Sequence, residues 1–172
     1  MLLGWVAEKI FRQAHCPVLT VGPNVQPSFP LTAQTRRSVL FATDFSPQAE
    51  HAFPYAFSFA QEHQARLVPA RGATNGSEAT FNKDRALRYR SVRLRELMAR
   101  AAELAQEPEF MVETGDTAEA IVKVAAESRA EVVVLGVRGP ARLSDRIGWS
   151  TACGVVREAH CPVLTVRSPE LL

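Results

Sequence analysis

Apolar positions along this chain alternate between two periods. Residues 38–43, SVLFAT, form an unbroken apolar run of strand length, the pattern of a strand covered on both faces. Asp44 ends the run, and Ser46 followed by Pro47 supplies the residue types of a helix N-cap and first turn. Ala49, Phe53, Ala56, Phe57 and Ala60 then recur at helical spacing. They predict a helix with one buried face to about His63, kinked at Pro54, which removes a hydrogen bond from its interior. A second strand follows at 65–70, where Pro69 predicts an early end or a bulge. Residues 72–84 have the composition of a loop, and 84–105 that of a helix.

The second half repeats the rhythm. Residues 109–114 form a third strand, and Asp116 with Glu119 resembles a capping box opening a helix that turns Ile121, Val124 and Ala125 inward. Residues 131–136, EVVVLG, are the most apolar strand and predict the centre of a sheet. A loop at 137–149, a helix at 150–159 and a last strand at 162–166 complete the series. Strands alternating with helices in this way predict a doubly wound α/β domain, its parallel sheet covered on both faces.

One stretch occurs twice. AHCPVLTV stands at 14–21 and again at 159–166, a gapless offset of 145 that also sets Arg12 on Arg157 and Ala7 on Ala152. A self-similar stretch announces a duplicated structural unit. Residues 1–21 therefore read as the closing helix and strand of a preceding unit. Residues 22–35 form a Pro-rich linker, able to span about 43 Å at ~3.1 Å per residue. Residues 36–168 form one domain. The expected use of the first segment is pairing: residues 17–21 antiparallel with 162–166, covering an apolar edge that would otherwise invite association.

Composition narrows the function classes. With 47% hydrophobic and 22% charged residues among 172, the chain has the make-up of one soluble globular domain. A net charge of +2 gives no reason to propose nucleic acid as partner. No run has membrane-spanning length, and Glu8 and Lys9 interrupt the place of an export signal, so the expectation is a cytoplasmic protein. Cys16, Cys153 and Cys161 are odd in number and lack CxxC spacing, which predicts reduced thiols rather than a metal site. His15 and His160 each precede a cysteine at a strand start, a placement that suits packing, and His51 and His63 read as solvent-facing or capping groups. Arg85, Arg88, Arg90, Arg93, Arg95 and Arg100 spread around their helix, as on a solvated outer face, instead of aligning as a phosphate stripe. No Ser-His-Asp set and no phosphate loop ending in Gly-Lys-Ser/Thr is visible, so no catalytic residue is assigned.

In doubly wound sheets, ligands sit beyond the carboxyl ends of the strands, where strand order reverses. Asp44 follows the first strand there, and Gly136, Val137, Arg138 and Gly139 follow the most apolar one. Glycines let backbone N–H groups approach a ligand, and a helix beginning at Ser150 and Thr151 supplies a second wall to an anion cradle.

These residues resemble the universal stress protein family over about residues 36–167, most strongly in VLFATDFS, GDTAEAIVKVAAE and VVVLGVRG…AHCPVLTV. The resemblance implies a five-stranded parallel sheet in the order 3-2-1-4-5, pairing of domains through their last strands, and frequent tandem fusion. It implies a non-catalytic, stress-response protein that binds ATP or AMP, with Mg accompanying ATP, through Gly-x2-Gly-x9-Gly-Ser/Thr and an Asp after the first strand. By position Asp44, Gly136, Gly139 and Ser150 match that pattern. The third glycine is displaced: Trp149 stands in its place and Gly148 one residue before. Pro140 also removes one N–H from the loop, while Arg138, Arg142 and Arg146 offer charge to a phosphate. The alternative implied is a degenerate domain without cofactor, closed by Trp149 and serving as a dimerisation or scaffold module. A phosphoacceptor role for Asp44 ranks low, since no acidic pair accompanies it.

Overall fold

The computed structural model of this chain describes residues 10, 14–25, 37–44, 46–73, 99, 111–114, 116–137 and 146–168, and of 71–73, 112–114 and 146–150 the backbone only. In chain order the described elements are strands β1 (Val18–Thr20) and β2 (Ser38–Ala42), helix α1 (Pro47–Glu62), strands β3 (Arg66–Ala73) and β4 (Met111–Thr114), helix α2 (Thr117–Glu127), strand β5 (Ala130–Val137), helix α3 (Arg146–Glu158) and strand β6 (Val163–Arg167). They make one six-stranded sheet in the order β1-β6-β5-β2-β3-β4. Counted from β2, the five parallel strands read 3-2-1-4-5 from the β4 edge, and the order reverses between β2 and β5. β1 joins the far edge antiparallel to β6, with Val18 opposite Thr165, Leu19 opposite Leu164 and Thr20 opposite Val163.

The apolar runs become strands buried on both faces. All five residues of β2 are buried, and β5 lies between β2 and β6 as the expected central strand. On one face, α1 packs Ala49, Ala52, Phe53, Ala56 and Ala60 on Val39, Phe41, Val132, Val134 and Val166. On the other, α2 and α3 cover Leu40, Val68, Val133 and Leu135 with Ile121, Val124, Val155 and Val156. Gly154 allows that helix pair its close crossing: a Cβ there would come within 2.8 Å of the Ala118 Cβ.

Local capping follows the sequence signals. Ser46 Oγ accepts from Ala49 N at 3.3 Å, and Asp116 Oδ1 accepts from Ala118 N at 2.9 Å and Glu119 N at 3.3 Å. Two buried hydroxyls then tie α2 to the start of β2. Ser128 Oγ donates to Val124 O, and Ser38 Oγ donates to Ser128 O, both at 2.7 Å.

Two expectations need correction. Pro69 neither ends nor bulges its strand, for β3 runs on to Ala73. Arg66 N donates to Arg37 O and Thr43 N to Ala70 O, so the even-numbered residues of β3 bond towards β2. The missing N–H of Pro69 consequently faces the β4 side, where the first pair among the described residues is Ala70 with Met111, and among them no ladder bond is lost. The last helix begins at Arg146, four residues before the predicted Ser150. Its forerunner in sequence is Asp145, a residue type that helix starts favour. The predicted helix at 84–105, with its arginines, lies outside the described residues apart from Ala99, which is helical.

Candidate functional site

The reversal of strand order leaves a crevice at the carboxyl ends of β2 and β5. A pocket of about 130 Å³ opens there. Ala42, Ala70 and Leu135, in register across β3, β2 and β5, make its apolar floor. Thr43 and Asp44 close one side, Thr117 and Ile121 of α2 another, and Gly136, Ala49 and Thr151 the rest.

Asp44 is exposed, and its Oδ1 accepts from Ser46 N at 2.9 Å, a local turn that fixes the carboxylate against the start of α1. Thr43, one residue earlier, is only 5% exposed and presents the hydroxyl type at the same strand end. Thr117 opens α2 directly after its Asp116 cap. Two helix starts thus converge on the pocket beside one carboxylate and several hydroxyl groups.

Gly136 has a second reason to be glycine. A Cβ there would lie 2.2 Å from Gln48 O and 2.6 Å from Ala49 N, so the residue lets the first turn of α1 rest on the end of β5. Beside that contact, Gln48 Oε1 is buried without a hydrogen-bond partner among the described residues. Buried acceptors are normally satisfied, so this one stands out.

Of the predicted site residues, Asp44 and Gly136 meet in the pocket. Val137 is buried, 4% exposed, and follows as the last residue of β5. Gly148 and Ser150 lie within α3, along with Trp149, and their side chains are outside the described residues, as are Arg138 and Gly139 altogether. The early start of α3 changes what Ser150 can do. The first four N–H groups of a helix, counted from its cap, lack an intrahelical partner, and in α3 these include residues 146–148. The backbone N–H groups of Trp149 and Ser150 fall beyond them, whereas that of Gly148 is among the free donors. Thr43, Ala49, Thr117 and Ile121 went unassigned in the sequence, and Thr151 was read only as part of the helix start. A residue adjoining an identified strand end or helix cap was the available signal for the two threonines 43 and 117.

The pair of expected strand ends therefore forms one concave site. The remaining ionisable groups add little chemistry to it: among the described residues no group of three or more His, Cys, Asp or Glu is placed to hold a metal ion. No helix among them is long and apolar enough to cross a membrane.

Comparison with known proteins gives the context. The model of the universal stress protein family matches residues 35–167. A universal stress protein of Thermus aquaticus is 32% identical over 135 residues, which cover 76% of this chain and 98% of that protein. A solved universal stress protein of Archaeoglobus fulgidus superposes with a TM-score of 0.72 at 23% identity, over 97% of this chain and 56% of its own length. Another solved member, a universal stress protein in complex with cAMP, superposes with a TM-score of 0.60 at 23% identity, over 77% of this chain and 98% of its own.

Proposed function

This chain belongs to the universal stress protein family, and from that premise we propose that it is a non-catalytic adenine-nucleotide-binding protein of the stress response. The observation that carries the reading is the meeting of Asp44, Gly136 and Thr151 in one pocket at the reversal of strand order. At about 130 Å³ the pocket is well below the roughly 300 Å³ at which sites for whole drug-sized ligands begin. It suits a base or ribose, and the phosphates would lie outside it against the start of α3. There the free N–H groups of residues 146–148 and the helix dipole favour an anion. Asp44 would accept from a ribose hydroxyl or an exocyclic amine. The cAMP complex of a solved relative supports a nucleotide as the ligand class.

A second reading is favoured by Trp149. Its backbone sits in the first turn of α3, where the family pattern places glycine. In that reading the indole closes the cradle and the domain serves pairing alone. Calorimetric titration with Mg-ATP and with AMP, on the wild type and on Trp149→Gly, decides between them. Nucleotide binding predicts micromolar affinity in the wild type and a loss of roughly tenfold or more in Asp44→Ala. Silence in the wild type with binding restored in Trp149→Gly establishes the closed site instead.

A further inference from the structure

A second cavity lies at the other end of the sheet. Its volume is about 280 Å³, against about 130 Å³ for the pocket at the strand reversal, and the two share no lining residue. Ala130 is the first residue of β5 and Cys161 stands just before β6, so this cavity opens at the amino ends of those strands. Its cause is side-chain size. The second half of α2 presents Val122, Ala125 and Ala126, Ala130 follows, and the alanines stop short of the space between that helix end and Cys161.

Burial sorts the lining. Ala125, Ala130 and Cys161 are at most 5% exposed and make an apolar floor, in which the thiol, pushed up by burial, stays uncharged. Val122, half-buried, and Ala126, exposed, make a wall. Arg129 and His160, both exposed, stand at the mouth. Among the described residues no carboxylate lines the cavity. The three acidic residues nearest to Arg129 and His160 in sequence pair elsewhere: Glu127 with Lys123 at 4.0 Å, Glu131 with Arg37 at 3.5 Å and Glu158 with Arg157 at 3.1 Å. None of these pairs takes up the Arg129 guanidinium. His160 Nδ1 donates to Glu158 O at 3.1 Å, since a carbonyl only accepts, and the other ring nitrogen, Nε2, is left for a ligand.

We propose that this cavity binds a small organic carboxylate with an apolar body, at a site separate from the nucleotide pocket. The body would fill the space over Ala125, Ala130 and Cys161. The carboxylate would pair with Arg129 at the mouth, where a planar guanidinium can meet both of its oxygens, and His160 Nε2 adds a polar contact beside it. Volume sets the size of the body: benzene fills a cavity of roughly 150 Å³, so about 280 Å³ takes one ring with a short chain.

The backbone at Arg129 permits a test that spares the fold. Arg129 follows the C-cap Ser128 with φ 53, a conformation glycine adopts most easily, so Arg129→Gly removes the side chain without straining the chain. The probe is 3-phenylpropanoate, with 3-phenylpropanamide as its uncharged counterpart, each titrated into the full chain and followed by backbone amide NMR. Shifts are expected at 122–130 and 160–161, with a dissociation constant on the order of 1 mM or tighter. The amide should bind the wild type roughly tenfold more weakly or worse, and the acid should lose as much in Arg129→Gly. Ala126→Phe, at an exposed helical position, should abolish the shifts by filling the cavity. Residues 42–49 and 135–137 should not respond, and saturating Mg-ATP should leave the titration unchanged, so failure here is distinct from failure of the nucleotide reading. Three results overturn the proposal: no shifts at 122–130 and 160–161, equal binding of acid and amide, or unchanged affinity in Arg129→Gly or Ala126→Phe.

Discussion

The same eight residues occupy two environments in this molecule. In the second copy Ala159, Val163, Thr165 and Val166 are at most 2% exposed and Cys161 is 3% exposed. In the first copy Cys16, Leu19 and Val21 are exposed, and no residue from Ala14 to Val21 is buried. Both copies nevertheless form a strand at the same three central positions. Local sequence thus determines the strand, while burial comes from what lies beside it. Among the described residues β6 has a strand on each side and a helix over each face, and β1 has one strand.

The largest test of this contrast is a matched pair of charges. Val166→Asp places an unpaired carboxylate under α1 and is expected to cost about 3–5 kcal/mol in urea unfolding. Val21→Asp, at the equivalent position, is expected to change stability by at most about 0.5 kcal/mol. Equal effects would break the comparison.

The cysteines sharpen it through pH. Burial pushes the Cys161 thiol up from 9.0 to about 11. In the unfolded chain this thiol ionises first, so the stability it contributes is whole below pH 9 and is lost as pH rises to about 11. The loss expected is about 2–3 kcal/mol, an upper range given the remaining exposure to water. Unfolding curves collected between pH 8 and 11 should show this slope in the wild type and in Cys16→Ala, and a flatter one in Cys161→Ala.

The smallest effect lies just past the first copy, where the repeat ends. Asn24 Nδ2 donates to Arg157 O at 3.2 Å and to Glu158 O at 3.3 Å, capping the C-terminal end of α3. Gly22 allows the approach, since a Cβ there would lie 2.2 Å from Val156 O. Asn24→Ala should cost about 1 kcal/mol, read as a fall in the urea midpoint at unchanged slope. In the second copy Arg167 stands in place of Gly22 and Pro169 in place of Asn24.

Much of this architecture was legible before any coordinates. Unbroken apolar runs marked β2 and β5, and Ser46 and Asp116 marked the helix starts, because burial on two faces and capping are local demands that particular residue types meet. The duplicated octapeptide foretold the antiparallel edge. Pro69 misled because whether a proline breaks a ladder depends on which neighbour its missing N–H would face, and that belongs to the register, not to the strand. The start of α3 misled because a glycine and a tryptophan beside a loop composition gave no helical period. Within the site, Asp44 and Gly136 were found from their places at strand ends. The packing role of Gly136 was not, since the contact with Gln48 joins residues 88 positions apart.

Location of the ligand is the central claim, and hydrogen exchange of the full chain with and without saturating Mg-ATP tests it most directly. Exchange is predicted to slow at 42–49, 135–137 and 146–151, around the pocket, while the β1 edge at 18–21 keeps its rate. Unchanged exchange around the pocket, or protection confined to β1, would contradict a nucleotide site formed by Asp44, Gly136 and the start of α3.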